Sequence, residues 1–121
     1  MYGIKAYYEH QVISSDEAMR TQTMTLYNLS KMLGLAGRYD ECIEVCDLGI
    51  KIARVTGRCT SLGNLLFNRG WAMVQRDNRG DKEAAEISLR HAYYFYSAME
   101  NQKGAEAARR IFSESFKDKL L

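Results

Sequence analysis

The chain has 121 residues, of which 46% are hydrophobic and 26% are charged, a composition typical of one soluble globular domain and not of a disordered segment. The net charge is +2, with both signs interspersed along the chain, so no nucleic-acid-binding face is indicated. No apolar run approaches the roughly 18 residues of a membrane helix, the start MYGIKAYYEH lacks a secretory signal core, and the three cysteines follow no disulfide spacing. These features predict a cytoplasmic protein with reduced thiols and no membrane contact.

Helical periodicity extends over almost the whole chain, and it predicts six helices. The first covers about residues 2–13. The second follows the capping sequence Ser14-Ser15-Asp16-Glu17, whose hydroxyl and carboxylate groups satisfy free backbone amides at a helix start. It ends near residue 36, and after a turn at Gly37-Arg38 the third helix runs from residue 39 or 40 to about residue 55.

The second half of the chain continues the same organisation. Gly57 ends the third helix, and Thr60 or Ser61 caps a fourth helix that extends to about residue 76. The segment RDNRGD, residues 76–81, is a turn by composition. A fifth helix is predicted over 82–99 and a sixth over 103–119. No stretch alternates with a period of two residues and there is no proline, so the predicted fold class is all-α, built from antiparallel helix pairs.

Two segments 40 residues apart share a pattern, because LYNLSK, residues 26–31, and LFNRGW, residues 66–71, both place an aromatic residue before an asparagine. Both units resemble the tetratricopeptide repeat, although leucine replaces its tryptophan, its terminal proline is absent and the spacing exceeds the usual length of about 34 residues. The resemblance implies a right-handed stack of antiparallel helix hairpins, an α-solenoid. Small residues would let the helices approach closely at Ser30, Cys42, Gly49, Gly70, Ala85 and Ala92.

The predicted domain organisation is a single repeat domain over residues 1–121. Its parts are the end of a preceding helix at 1–13, a first repeat at 15–56, a second repeat at 60–99 and a capping helix at 102–119.

Residues 20–115 as a whole resemble the C-terminal repeat region of bacterial transcriptional regulators that carry an N-terminal helix-turn-helix of the XRE type. This resemblance implies a regulatory domain that binds a peptide or protein ligand. It also implies a homodimer formed through the C-terminal helices, since operators have two-fold symmetry. The chain contains no candidate recognition helix, so DNA would be contacted only through a separate N-terminal domain. A stand-alone adaptor that mediates protein–protein interaction is the alternative function.

The asparagines of the repeated pair are the first candidates for ligand contact. In stacked helix hairpins the first helix of each unit lines the concave surface, and an asparagine amide can bond both polar groups of a peptide unit. The family resemblance implies this role for Asn28 and Asn68. The alternative is that each amide bonds a neighbouring helix and fixes the register of the stack.

Residues near the asparagines complete the candidate site. A tryptophan and two other aromatic residues beside polar groups favour a binding platform, and cations there would attract a ligand carboxylate, for which Lys31, Arg69 and Arg76 are candidates. The alternative is that the aromatic residues belong to the core and the cations are solvated. The additional candidate ligand-binding residues are Tyr27, Lys31, Phe67, Trp71 and Gln75.

Catalytic and metal-binding chemistry is not predicted. Cys42 and Cys46 lie one helical turn apart, but a zinc site needs two further ligands, and both fall on a buried stripe where cysteine acts as a small hydrophobic residue. Cys59, near a loop, is a candidate exposed thiol. No nucleophile elbow, HExxH, P-loop or GxGxxG motif is present, so we expect no enzyme activity, no metal and no cofactor.

Overall fold

The computed structural model describes residues 16–121, so the predicted first helix and the Ser14-Ser15 part of the capping sequence lie outside the described residues. Five helices make up this part of the chain, as the sequence predicts for it. They are α1 (Asp16–Leu35), α2 (Tyr39–Thr56), α3 (Cys59–Arg76), α4 (Asp81–Ala98) and α5 (Gln102–Ser115).

Short turns connect the helices and make sequential neighbours antiparallel. Gly37 and Gly57 have φ angles of 78° and 68°, a left-handed conformation that glycine adopts at no steric cost. The amide of Gly57 still donates to the carbonyl groups at the end of α2, those of Ala53 and Arg54. Glycine therefore ends these helices where the composition predicts.

The packing between helices has the order of an α-solenoid. Each helix contacts the next, and α3 also contacts both α1 and α5, whereas α2 and α4 do not contact each other within the described residues. Helices α1, α3 and α5 therefore form an inner row, and α2 and α4 form an outer row. The predicted all-α class, a stack of helix hairpins, is confirmed.

Small residues let the two rows approach closely. A Cβ atom added at Gly70 would lie 2.7 Å from Cγ of Leu89, and one added at Gly49 would lie 2.9 Å from Cδ1 of Leu65. A side chain at either position would force the facing leucine to shift, so glycine keeps the helices in close contact. Ser30 is fully buried as well, which confirms the predicted close-packing role of these three residues.

The last helix ends earlier than the predicted end near Lys119. Helix α5 stops at Ser115, and Phe116 adopts an extended φ of −131°. Its ring is buried and lies 5.1 Å from the ring of Phe112. The chain then turns back along α4, where Arg90 donates to the carbonyl of Leu120 at 2.9 Å. The helix therefore ends at Ser115, although the apolar periodicity that includes Phe116 predicts a longer one.

Candidate ligand-binding groove

A groove lies between α1 and α3, which are neighbours in the inner row. Side chains spaced three or four residues apart share one face of a helix. On both α1 and α3, one such face borders the groove. We call it the inner groove. It contains two cavities, one of about 620 Å³ near the N-terminal ends of both helices and one of about 210 Å³ near their C-terminal ends.

The larger cavity, which we call the Asn28 cavity, brings together Tyr27 and Asn28 with Asn64 of α3. Asn28 is exposed and forms no side-chain hydrogen bond within residues 16–121. Asn64 is half-buried, and its Oδ1 accepts a hydrogen bond of 2.7 Å from the hydroxyl of Tyr96. Burial raises the pKa of Tyr96, so the phenol stays protonated and remains a donor. The sequence pattern did not point to Asn64.

The smaller cavity, which we call the Trp71 cavity, is lined by both apolar and polar residues. Leu35, Phe67, Trp71 and Ile111 supply most of its apolar lining. Its remaining lining residues are Ser30, Lys31, Gly34, Cys42, Asn68 and Arg110. Lys31 and Arg110 are exposed cations, and no acidic residue lines the cavity. A ligand group that fits here is therefore apolar with a negative charge beside it.

The position of Trp71 is set by two neighbours. A Cβ atom added at Gly34 would lie 2.9 Å from Cζ3 of Trp71, so the indole rests against the backbone of α1. Tyr39, at the start of α2, contacts the indole in a T-shaped arrangement, with ring centroids 5.9 Å apart. Trp71 is thus held in the wall of the cavity while remaining partly exposed.

The two asparagines of the repeated pair are not equivalent in the structure. Nδ2 of Asn68 donates to Oγ of Ser30 at 2.9 Å, and Ser30 donates in turn to the carbonyl of Tyr27 at 2.7 Å. This bond fixes α3 against α1, which is the register role. Oδ1 of Asn68 accepts no hydrogen bond from residues 16–121 and stays available at the Trp71 cavity. The whole amide of the exposed Asn28 is available at the other cavity.

The structure divides the predicted site residues between different places. Lys31, Phe67, Asn68 and Trp71 meet in the Trp71 cavity. Tyr27 and Asn28 line the Asn28 cavity. Gln75 is exposed near the C-terminal end of α3 and lines neither cavity. Tyr27 and Phe67 also pack against the hydrophobic core, so packing and cavity lining are combined in the same side chains.

Two cations that we expected near a ligand carboxylate lie elsewhere. Arg69 pairs with Asp47 at 2.7 Å and donates to Ser88 at 2.5 Å, contacts that anchor α3 to the outer row. Arg76 forms a bidentate ion pair with Asp81, in which Nη2 donates to Oδ1 at 2.6 Å and Nε donates to Oδ2 at 2.8 Å. Neither residue lines the Asn28 cavity or the Trp71 cavity, and each compensates a carboxylate of the scaffold.

Arg110 takes their place beside Lys31. The arginine pair of EAARRIF was not among the candidate residues of the sequence analysis. Its position one residue before the half-buried Ile111 was the available indication that one arginine borders an apolar surface.

Cys42 and Cys46 occupy the predicted buried environment, whereas Cys59 is less exposed than expected. Cys42 and Cys46 are buried in the core and Cys59 is half-buried. A hydrogen bond with Cys46 lowers the pKa of Cys42, although burial raises it. The hydrogen bond with Cys42 and burial both raise the pKa of Cys46. Residues 16–121 contain no group of three or more side chains able to hold a metal ion, and no helix among them is long and apolar enough to span a membrane.

The comparisons with known proteins give one match. The model of the RNPP family C-terminal domain matches residues 3–106, a range that includes helices α1 to α4 but not Arg110 and Ile111 of the Trp71 cavity. No curated protein and no solved structure matches the chain significantly.

Proposed function

The chain belongs to the RNPP family through its C-terminal domain, and from this premise we propose that it is a regulatory domain that binds a signalling peptide in the inner groove. Members of this family are tetratricopeptide-like regulators that bind signalling peptides, which agrees with the resemblance read from the sequence. The observation that carries the proposal is the meeting of apolar, amide and cationic groups in one groove between α1 and α3.

The length of the groove fits a short peptide. Its lining on α1 extends from Arg20 to Leu35, which at about 1.5 Å per helical residue corresponds to about 22 Å. An extended chain advances about 3.3 Å per residue, so about seven peptide residues occupy this distance. A ligand of this length would contact both cavities.

The groups along the groove suit the parts of such a peptide. The free amide of Asn28 and Oδ1 of Asn68 bond peptide backbone groups, because an amide both donates and accepts. The walls around Trp71 receive one apolar side chain. Lys31 and Arg110 stabilise a carboxylate, from either the peptide's end or an acidic side chain. The positive rim also attracts an anionic peptide before contact.

In the regulator that the family implies, we propose that peptide binding changes the packing of the inner row and thereby the arrangement of two subunits. DNA would be contacted by a separate N-terminal helix-turn-helix, and dimerisation would use the C-terminal helices. The site offers no catalytic arrangement, and we propose a binding role in the cytoplasm. An adaptor that binds a protein partner on the same surface is the alternative.

Affinity selection tests the proposal. A library of seven-residue peptides is passed over the immobilised domain, and enriched peptides are measured by calorimetry against wild type, Trp71→Ala and the control Tyr94→Ala. Tyr94 is an exposed aromatic residue of the outer helix α4. We expect binding to fall at least about tenfold in Trp71→Ala only. Absence of any enriched peptide, or equal affinities in all three proteins, rejects the inner groove as a peptide site.

A further inference from the structure

A second groove lies in the outer row, between α2 and α4. These two helices do not contact each other within the described residues, so the space between them stays open above α3. Its volume is about 520 Å³, and we call it the outer groove. It shares no lining residue with the Asn28 cavity or the Trp71 cavity, so it is a separate surface of the molecule.

The charges along the outer groove are unbalanced. Arg69 of α3 pairs with Asp47 of α2, which is the only acidic residue in the described lining. The charge of Asp47 is therefore already compensated. The other basic lining residues are Lys51, Arg54 and His91. Lys51 and Arg54 are exposed and form no ion pair within residues 16–121, so the groove carries positive charge that this part of the chain leaves uncompensated.

Apolar side chains line the same space. Val55 is 75% exposed and Ile87 is 56% exposed, and the buried Ile50 and Leu66 belong to the same lining. A single exposed apolar residue is ordinary on a protein surface. Here two branched side chains from different helices border one concave surface that continues into the core, so one apolar group from a partner can bury both.

We propose that the outer groove binds an acidic segment of a partner protein. An apolar side chain of this segment packs against Val55 and Ile87, and carboxylates on both sides of it pair with Lys51 and Arg54. Charge complementarity selects an acidic partner. Nucleic acid fits the surface less well, because its backbone offers phosphates without an apolar side chain.

This partner site does not depend on peptide binding in the inner groove. Helix α3 lines both grooves, with Leu66 and Arg69 at the outer one and Phe67 and Trp71 at the inner one. The domain therefore has room for a partner protein and a small ligand at the same time, on two faces of one helix.

The size of the outer groove limits the segment. Its lining on α2 extends from Asp47 to Val55, which at about 1.5 Å per helical residue corresponds to about 12 Å. An extended chain covers this distance in about four residues, at about 3.3 Å each. Stable protein complexes bury at least about 1,200 Å², so a contact of this size is transient and has a dissociation constant in the micromolar to millimolar range.

Nuclear magnetic resonance of the isotope-labelled, folded chain locates the site. The probes are short peptides, acetylated and amidated at their ends, that carry one leucine between two glutamates at varied spacing. A matched set has glutamine in place of glutamate. We expect the acidic peptides to shift the backbone amide signals of the outer groove, and the glutamine set to leave them unchanged. The signals concerned are those of Lys51, Arg54, Val55, Ile87 and His91.

Two variants test the two parts of the contact. The double variant Lys51→Gln, Arg54→Gln should weaken the best acidic peptide about tenfold, the combined effect of two exposed ion pairs. Ile87→Asp should abolish binding by placing a like charge among the carboxylates, whereas Ile87→Val should retain it. Lys82→Gln removes an exposed cation of α4 outside the lining and should bind like wild type. Circular dichroism confirms that each variant is folded.

Trp71→Ala separates this site from the inner groove, where Lys31 and Arg110 also attract acidic peptides. The shifts in the outer groove should persist in this variant. Absence of shifts in the outer groove, or equal shifts with the acidic and the glutamine sets, overturns the proposal. A short DNA duplex that shifts the same signals as strongly would show a general anion-binding surface, and signals that move with protein concentration alone would show self-association. Either result rejects an acidic protein segment as the occupant.

Discussion

The indole of Trp71 lies directly against Gly34, so closely that a Cβ atom at Gly34 would be 2.9 Å from Cζ3 of the ring. This contact joins the two main helices of the inner groove, and it sets the width of the Trp71 cavity. Trp71 is also the only tryptophan in the chain, so its fluorescence reports this one site without labelling.

A double-mutant cycle on Gly34 and Trp71 tests this contact. Alanine is favoured over glycine in a helix by up to about 1 kcal/mol, but the overpacking against the ring costs about 1–3 kcal/mol. We therefore expect Gly34→Ala to destabilise wild type and to stabilise the Trp71→Ala background, as measured by urea unfolding. If Gly34→Ala shifts the free energy of unfolding equally in both backgrounds, the indole moves aside without a loss of stability.

The asparagines of the repeated pair should differ in their effect on stability. Asn68→Ala removes the bond to Ser30 and should lower the free energy of unfolding by about 1 kcal/mol. Asn28→Ala removes an exposed side chain without a described partner, so a change within about 0.5 kcal/mol is expected. Chemical denaturation of both variants and wild type measures these differences in the free energy of unfolding. Equal losses would mean that Asn28 also holds the stack together.

The difference between these asparagines also shows which feature of the fold the sequence pattern does not specify. Helix periodicity and the alternation of large and small residues are local properties, and they predicted the hairpins and the packing at Gly49 and Gly70. The overlay of the two units gave Asn28 and Asn68 equivalent positions, whereas in the structure Asn68 bonds Ser30 and Asn28 forms no side-chain hydrogen bond within residues 16–121. Which residues face each other across two helices depends on their mutual register, and a single repeat pattern does not specify it.

The same limit explains why the sequence analysis placed Arg69 and Arg76 near the ligand. Arg69 and Arg76 stand near the aromatic residues in sequence, but their partners Asp47 and Asp81 come from other helices. Arg110 reaches the Trp71 cavity from α5, far along the chain from the rest of the site. Composition shows that cations are available, and only the packing decides which of them is neutralised.

The ion pair of Asp81 with Arg76 predicts a pH dependence of stability. Arg76 lowers the pKa of Asp81 below its ordinary value of 3.8, so the folded state favours the carboxylate. This contribution is fully present above pH 3.8 and is lost as the pH falls through the lower, folded pKa. Asp81→Asn should therefore cost about 2 kcal/mol at neutral pH, and its difference from wild type should shrink below pH 3.8.

Urea unfolding of wild type and Asp81→Asn between pH 2.5 and 7 measures this difference. Lys82→Gln, an exposed neighbour on α4, controls for general charge effects. A difference that stays constant over the whole range would show that Asp81 contributes by its shape and hydrogen bonds alone.

The cations of the Trp71 cavity give a prediction about ligand charge, which rests on the proposed peptide binding. If Lys31 and Arg110 stabilise a carboxylate, Lys31→Gln and Arg110→Gln should each weaken a selected peptide by about 0.5–2 kcal/mol. Added salt should weaken wild-type binding more than binding to either variant, since screening acts on the same interaction. Lys82→Gln, outside the groove, serves as the matched control.

Titration of Trp71 fluorescence with the free-acid and the C-terminally amidated peptide identifies the source of the carboxylate. A loss on amidation that disappears in Arg110→Gln assigns the peptide's end to this cavity. Unchanged affinity in both cation variants would leave peptide binding intact and remove the cations from the site.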